Sequence, residues 1–491
     1  MAASARRKPP PTLVVDPEPV FELSPHLYMQ FMEPLGATDG SVEASWNYRT
    51  DEWRADLVKV TKELGPTMIR WGGCLASYYR WREAVGPRDA RVPMMNLLWR
   101  GIETNQVGTH EFVEFCRKVR ATPLMVVNFE SDGRKHWARP GKGQNRLGTA
   151  REAAEWVDYC NNPKNTERRG NGSLRPLRID FWQIGNETSY DPKGFDCETA
   201  ARKTVRFAKA MRGADPTIKL IGWGDSGWAP RMLDVAGEHL DYIAFHGGYR
   251  STLSKRPPFG DSEFAEDPAS TWRHLMTGAE WAARKLREMR RQTDGSGLPL
   301  ALTESHYSFP GPHRGRLLST WAVGVAYARI FNLYQRNGDA LKIATLADFA
   351  GTRWSNNAIM LPVPGEQGAY MQPVARVMQL FRHHTGKKAV RILKAPKGLD
   401  VTASRTGGRV WLHVANTSMT KAVKARLGVA GMTMASGKVW QIAEDPFVEI
   451  WRMNSDRLAP VGKRLPGSGA WTFPAASVSA LELKVDAERP S

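Results

Sequence analysis

Eight short apolar strands alternate with helical stretches between Leu27 and Leu346, a rhythm few folds accommodate. The strands read at Leu27–Met32, Thr67–Arg70, Leu124–Asn128, Phe181–Ile184, Ile218–Gly222, Tyr242–His246, Leu298–Thr303 and Leu341–Leu346. Helical patterns lie between most of them. Glu52–Glu63 stops at Gly65, a residue suited to the left-handed conformation that ends helices. His110–Val119 carries Phe112, Val113, Cys116 and Val119 on one face. Ala150–Tyr159, Thr204–Met211 and Trp272–Glu288 follow, and Leu317–Gln335 is apolar around much of its surface, as in a buried helix. Strand–helix alternation puts parallel strands side by side, and eight such units predict an α/β fold, the (β/α)₈ TIM barrel. A doubly wound sheet would want a Gly-x-Gly-x-x-Gly turn after its first strand, and none is present.

The texture changes beyond Gly386. Strands recur at Val390–Leu393, Leu399–Ala403, Arg409–Val414 and Val478–Leu483 with turn residues between them and little helical pattern. This predicts a C-terminal antiparallel β-sandwich domain over 386–491. The strands at Leu13–Val15 and Val20–Leu23, within 13–26, are expected to join it, leaving 27–385 to the barrel. Residues 1–12, basic and rich in Pro, are expected to be a disordered tail.

Net charge is +19 with a pI near 9.8, which raises a nucleic-acid partner. The Lys and Arg residues are spread in short groups such as Arg6-Arg7-Lys8 and Arg290-Arg291, and no recognition module accompanies them. A solvated basic surface, or attraction to an acidic polysaccharide, is the expectation, with no specific nucleic-acid partner. The four cysteines have no metal or disulfide-scaffold spacing, consistent with a reducing compartment. No apolar run reaches the roughly 20 residues of a membrane span. A cytoplasmic location is expected, or secretion where a signal peptide has been removed. A homo-oligomer stays open.

The chemistry concentrates at two strand ends. Phe181–Ile184 stops at Gly185 and delivers Asn186 and Glu187; 117 residues later the strand from Leu298 delivers Glu304. The carboxyl ends of barrel strands are where catalysis sits. Two acids there suit glycoside hydrolysis, one protonating the leaving oxygen and one attacking the sugar. Eighteen Trp offer aromatic faces for sugar rings, although most Trp in any protein is packing.

Arg70-Trp71-Gly72-Gly73-Cys74, the run from Trp99 through Glu103-Thr104-Asn105-Gln106 to Phe112, Glu152–Asn161 and Gly185-Asn186-Glu187 together resemble the α-L-arabinofuranosidases of glycoside hydrolase family 51. The resemblance covers most of the barrel. It implies a retaining exo-glycosidase releasing terminal arabinofuranose, with Glu187 as general acid/base and Glu304 as nucleophile. It further implies Asn186 as the amide on a sugar hydroxyl and Glu33 and Cys74 as walls of the terminal-sugar pocket. Arg70, at a strand tip, is the candidate donor that keeps Glu304 charged; the plain alternatives are a barrel-rim salt bridge for Arg70 and an inert buried thiol for Cys74. Glu187 must hold its proton near neutral pH, which asks for a dry setting or the negative nucleophile beside it. Asn128, Trp99 and His246 are further candidates at the pocket; their plain alternatives are a strand cap, packing and a structural histidine.

The sequence departs from the family where a His-x-Tyr is usual after the sixth strand. Here His246-Gly247-Gly248-Tyr249 displaces the Tyr by one, and Tyr307 is the candidate substitute for supporting the nucleophile. The segments Thr188–Tyr190 and Ala347–Phe349 differ as well. Another furanoside, a xyloside or a glucan therefore stands as the alternative substrate, and a carbohydrate-binding protein without catalysis as the alternative class. No metal or organic cofactor is expected, since no His/Cys/carboxylate set has ligand spacing.

Overall fold

The computed structural model describes residues 10–33, 42–260, 262–308, 315–352, 355–362 and 368–487. The first strand, β1 (Leu13–Glu22), is followed by eight barrel strands: β2 (Met29–Met32), β3 (Met68–Trp71), β4 (Thr122–Val127), β5 (Phe181–Ile184), β6 (Lys219–Trp223), β7 (Tyr242–Tyr249), β8 (Leu300–Tyr307) and β9 (Leu341–Ala344). Each pairs in parallel with the next. A parallel bridge between Met29 and Thr345 brings the two ends together, so the barrel is nearly closed.

The side-chain period of two explains the layering. Met68, Leu124, Ile221, Ala244, Ala301 and Ile343 fill the barrel's interior. Residues of opposite parity, among them Ile69, Met125, Trp182, Leu220, Ile243 and Leu302, pack outward against the helices in the main core. Pairing between β7 and β8 slips at one place: Phe245 faces Leu302 but His246 faces Glu304, so Thr303 and Glu304 together oppose one residue. Such a bulge re-aims side chains. Both residues are turned toward His246, and the parity of everything after Glu304 is reset.

The segment Trp272–Glu288, expected as one helix, is two: Pro268–Met276 and Gly278–Gln292. A Cβ on Gly278 would lie 2.2 Å from the Tyr307 hydroxyl. The Tyr307 ring fills the space at the junction.

The C-terminal domain comprises β10 (Lys388–Lys394), β11 (Leu399–Thr406), β12 (Arg409–Asn416), β13 (Val423–Val429), β14 (Met432–Ala443), β15 (Val461–Arg464), β16 (Ala470–Phe473) and β17 (Ser477–Ala487). With β1 these form a nine-stranded sheet in the order β15-β14-β17-β12-β11-β10-β1-β13-β16, antiparallel except where β1 meets β13. A short β13–β14 hairpin contact at Val429 and Met432 folds it back over a core of Leu13, Val15, Val410, Leu412, Leu481 and Leu483. The basic tail expected over 1–12 lies outside the described residues up to residue 9, while the Thr12 amide donates to Arg426 O.

The long buried helix Trp321–Arg336 joins the domains. Trp321 Nε1 donates to Ala476 O at 2.6 Å, and Asn332 Nδ2 donates to Asp400 O at 3.1 Å. Among the described residues no helix is long and apolar enough to cross a membrane.

Candidate active site

Arg70, Asn186, Glu187, His246 and Glu304 converge at the carboxyl ends of β3, β5, β7 and β8. Arg70 points inward by parity with Met68 and is fully buried. Its guanidinium is divided three ways: Nη1 donates to Glu304 Oε1 at 2.7 Å, Nη2 to Asn186 Oδ1 at 2.6 Å and Nε to Gln183 Oε1 at 3.0 Å. A planar fork that reaches from β3 to β5 and β8 fixes the nucleophile candidate and orients the Asn186 amide, whose Nδ2 is left facing Cys74 Sγ, 3.9 Å away.

Glu187 stands opposite. The chain reaches it through Gly185 (φ +76°), where a Cβ would lie 2.6 Å from Asp132 Oδ1. Glu187 itself adopts a left-handed φ of 51°, a costly conformation for a non-glycine residue and one that recurs at working sites. Its Oε1 lies 3.0 Å from His246 Nδ1, and its Oε2 accepts from the Cys74 thiol at 3.4 Å. His246 Nδ1 also lies 3.8 Å from Glu304 Oε2, while its Nε2 meets Thr303 Oγ1 at 3.1 Å. One polar atom each of Glu187, His246 and Glu304 fall within 4.8 Å of one another. The fold thus assembles a His/carboxylate set that sequence spacing does not reveal. Arg70, Cys74 and His246 already engage its oxygens, and the arrangement reads as an acid–base set.

Glu33, at the end of β2, is buried beside this group. Gly73 makes its approach feasible: with φ +100° it brings bare backbone against the carboxyl, and a Cβ there would lie 2.3 Å from Glu33 Cδ. Glu33 Oε1 accepts from Leu75 N–H and Trp99 Nε1–H, both at 3.3 Å.

The electrostatics separate the three acids. Burial, with the charges of Glu304 and Glu187, pushes the Glu33 carboxyl well above the usual carboxylate range. Burial also raises the Cys74 thiol, leaving it protonated. Glu187 goes the other way. Burial alone would raise it, but the bonds from His246 and Cys74 and the charge of Arg134 outweigh burial and hold it below its ordinary value. This runs against the expectation of a carboxyl that keeps its proton near neutrality.

Three candidates lie elsewhere. Tyr249 is on β7 with the parity of Phe245, so shifting the Tyr by one residue carries it to the outer face; its hydroxyl meets that of Tyr334 on the buried helix. Tyr307, also outward, donates to Leu275 O at 2.9 Å. Neither supports the nucleophile, and the inward position, 248, is a glycine. Asn128 spends its amide on the surrounding loops, donating to Tyr79 O and Arg146 O and accepting from Ser131 N–H.

Other residues escaped the sequence. Asp132 accepts from Asn186 N–H at 3.2 Å and from Thr188 Oγ1 and Ser77 Oγ at 2.6 Å, locking the turn under Glu187. Arg134 donates to Glu187 O at 2.8 Å. Both sit in a loop without periodicity; only Gln183, inside the strand that leads to Glu187, carried a signal as a polar residue in an apolar run. The larger cavity of about 580 Å³ on the C-terminal sheet, between Arg409, Lys438 and Arg464, holds Glu482 as its one carboxyl and lacks an acid pair.

The chain is similar to known arabinofuranosidases in part of its sequence and in its fold. A profile for the α-L-arabinofuranosidase 1 domain matches residues 60–253. A probable α-L-arabinofuranosidase C from Aspergillus terreus is 33% identical over 230 residues, covering 45% of this chain and 42% of that protein. An intracellular exo-α-(1→5)-L-arabinofuranosidase from Acetivibrio thermocellus is 31% identical over 249 residues, 47% of this chain and 46% of that one. The chain thus matches less than half the length of these relatives. The α-L-arabinofuranosidase of Thermotoga maritima, solved with arabinose, superposes with a TM-score of 0.74 at 25% identity over 97% of this chain and all of that one. A family 51 arabinofuranosidase from Xanthomonas axonopodis shares the fold at a TM-score of 0.78 and 20% identity, over 96% and 99% of the two chains. The resemblance seen in the motifs holds through the domain profile and the whole fold.

Proposed function

We propose that this chain, related in barrel sequence and fold to the family 51 arabinofuranosidases, is a retaining exo-α-L-arabinofuranosidase. The observation that carries the reading is the pair Glu187 and Glu304 with oxygens within 4.8 Å, bridged by His246, one member held by Arg70. Retaining enzymes keep their carboxyls about 5–5.5 Å apart, whereas inverting ones leave about 6.5–9.5 Å for a water. Glu304 attacks the anomeric carbon while Glu187 gives a proton to the departing glycosidic oxygen. The glycosyl ester then breaks when Glu187, now a base, takes a proton from the incoming water.

The low-lying Glu187 carboxyl fits the second step directly. For the first step Glu187 must carry a proton, and His246 Nδ1, 3.0 Å from its Oε1, is the neighbour positioned to pass one to it. Glu33, the Asn186 amide and Trp99 hold the hydroxyls and face of the terminal sugar, with Cys74 as a small wall.

A second reading keeps the chemistry and changes the sugar. Gly248 stands where the family resemblance implies a tyrosine, and a xyloglucanase from Paenibacillus polymyxa shares the fold alone, at a TM-score of 0.59 and 15% identity. The test is a panel of aryl arabinofuranoside, galactofuranoside, xyloside and glucoside with wild type and Glu304→Ala. Arabinofuranoside hydrolysis lost in the variant is expected. Preference for another glycoside would move the specificity, and silence on the whole panel would contradict the activity.

A further inference from the structure

The acid pair opens on one side into a cavity of about 480 Å³ that shares none of its lining with Glu33, Cys74, Asn186 or Trp99. Glu187 and Glu304 therefore stand between the wall assigned to the terminal sugar and this second space. On that assignment the second space receives the leaving group.

Its lining is specific. Trp281 contributes an aromatic surface, of the kind that takes the apolar face of a pyranose. Gly247 and Gly248 present bare backbone; a Cβ on Gly248 would come within 2.4 Å of Ser308 Oγ. The cations are unequal. Lys285 is ion-paired to Asp225, which also accepts from Tyr190 Oη at 2.7 Å. His306 is bonded to Asp348 at 3.1 Å; burial pulls its basicity down, but Asp348 and Glu304 lift it above the ordinary histidine value. Arg250 is exposed and has no hydrogen-bond or ion-pair partner among the described residues. An unpaired guanidinium at the rim of an acid-lined site is a fork awaiting an anion.

We propose that this cavity is a leaving-group subsite for an acidic sugar, with Trp281 under the ring and Arg250, helped by the Ser308 hydroxyl, on its carboxylate. The inference rests on the glycosidase reading for the identity of the leaving-group side and adds a substrate class to it: arabinofuranose carried on uronic-acid-containing chains. The strongly basic chain, at net charge +19, is suited to approaching such a polymer.

The test is direct binding to the full wild-type chain by calorimetry, with methyl glucuronide, methyl glucoside and glucose 6-phosphate as probes. The glucuronide is expected to bind about tenfold tighter than the glucoside, the weight of one charge-assisted bond discounted for exposure. Arg250→Gln should erase that gap, and Trp281→Ala should weaken both neutral and acidic sugars. Equal affinities, no binding of either sugar, or a gap that survives Arg250→Gln would overturn the proposal. Tighter binding of glucose 6-phosphate than of the glucuronide would overturn the uronic-acid assignment. Because the probes are not turned over, a wild-type enzyme silent on aryl arabinofuranosides would remove the proposed function and leave this result readable by itself.

Discussion

Arg70 Nη1 lies 2.7 Å from Glu304 Oε1, and the guanidinium that makes this bond is wholly shielded from solvent. With Gln183 and Asn186 taking its other groups, the arginine ties the nucleophile candidate to the amide that precedes the acid/base candidate. Arg70→Met removes the charge and all three bonds at once. We expect kcat/KM to fall at least about 10²-fold, the scale of losing one preorganised electrostatic partner. Thermal unfolding should also move down, since stripping one partner from a buried pair typically costs about 3–5 kcal/mol. Steady-state kinetics and calorimetry on the same preparation check both.

Glu187→Ala removes the proposed proton donor and leaves Glu304 in place. Substrates with poor leaving groups should lose activity far more than activated aryl ones, whose departure needs no proton. Azide should restore turnover of the activated substrate by attacking the glycosyl-enzyme. Equal losses on both substrates would deny Glu187 the acid role.

His246 sets the acidity of Glu187 through a 3.0 Å contact. Its bond and charge are the largest effects opposing burial, which would otherwise raise that carboxyl. Removing it in His246→Asn should let the Glu187 carboxyl rise. The sign for activity follows: the acid form is needed for glycosylation and is lost as pH rises through its pKa. The alkaline limb of kcat/KM on a poor-leaving-group substrate should therefore move to higher pH in the variant. A limb that stays in place would show that another group controls it.

His413 offers a stability test away from the site. It stacks on Phe381 at 3.9 Å between ring centres, lies 3.0 Å from Gln335 Oε1, and is buried between sheet and helix. Burial pushes its pKa down to about 3. A histidine lowered in the folded state is kept neutral while the unfolded chain takes up a proton below about 6.5. The stability this residue supports is thus complete above that pH and declines as pH falls toward 3, by at most about 1.4 kcal/mol per pH unit. Denaturation followed between pH 7 and pH 5 should show the decline, and His413→Gln should flatten it.

The barrel was legible because buried parallel strands are near-continuous apolar runs of fixed length. The same rule located Arg70, Asn186, Glu187, His246 and Glu304 at strand ends. What strand pattern alone could not show was parity after an irregularity. The slip at Phe245/His246 turns Glu304 inward beside Thr303 and thereby turns Tyr307 out, and displacement by one residue does the same to Tyr249. Long-range pairing was equally hidden. Glu187 and His246 are 59 residues apart, so the lowered acidity of Glu187 had no local trace. Asp132 and Arg134 sit in an irregular loop where left-handed residues, Glu130 to Asp132, follow no composition rule.

The central claim is that Glu304 becomes covalently attached to the sugar. Its most direct test is to incubate Glu187→Ala with an activated aryl arabinofuranoside, quench in acid, digest and weigh the peptides. The account predicts one pentosyl addition, carried by the peptide containing Glu304 and absent from a Glu187→Ala/Glu304→Gln double variant. Steady hydrolysis with no adduct on that peptide, or an adduct on another carboxylate, would contradict it.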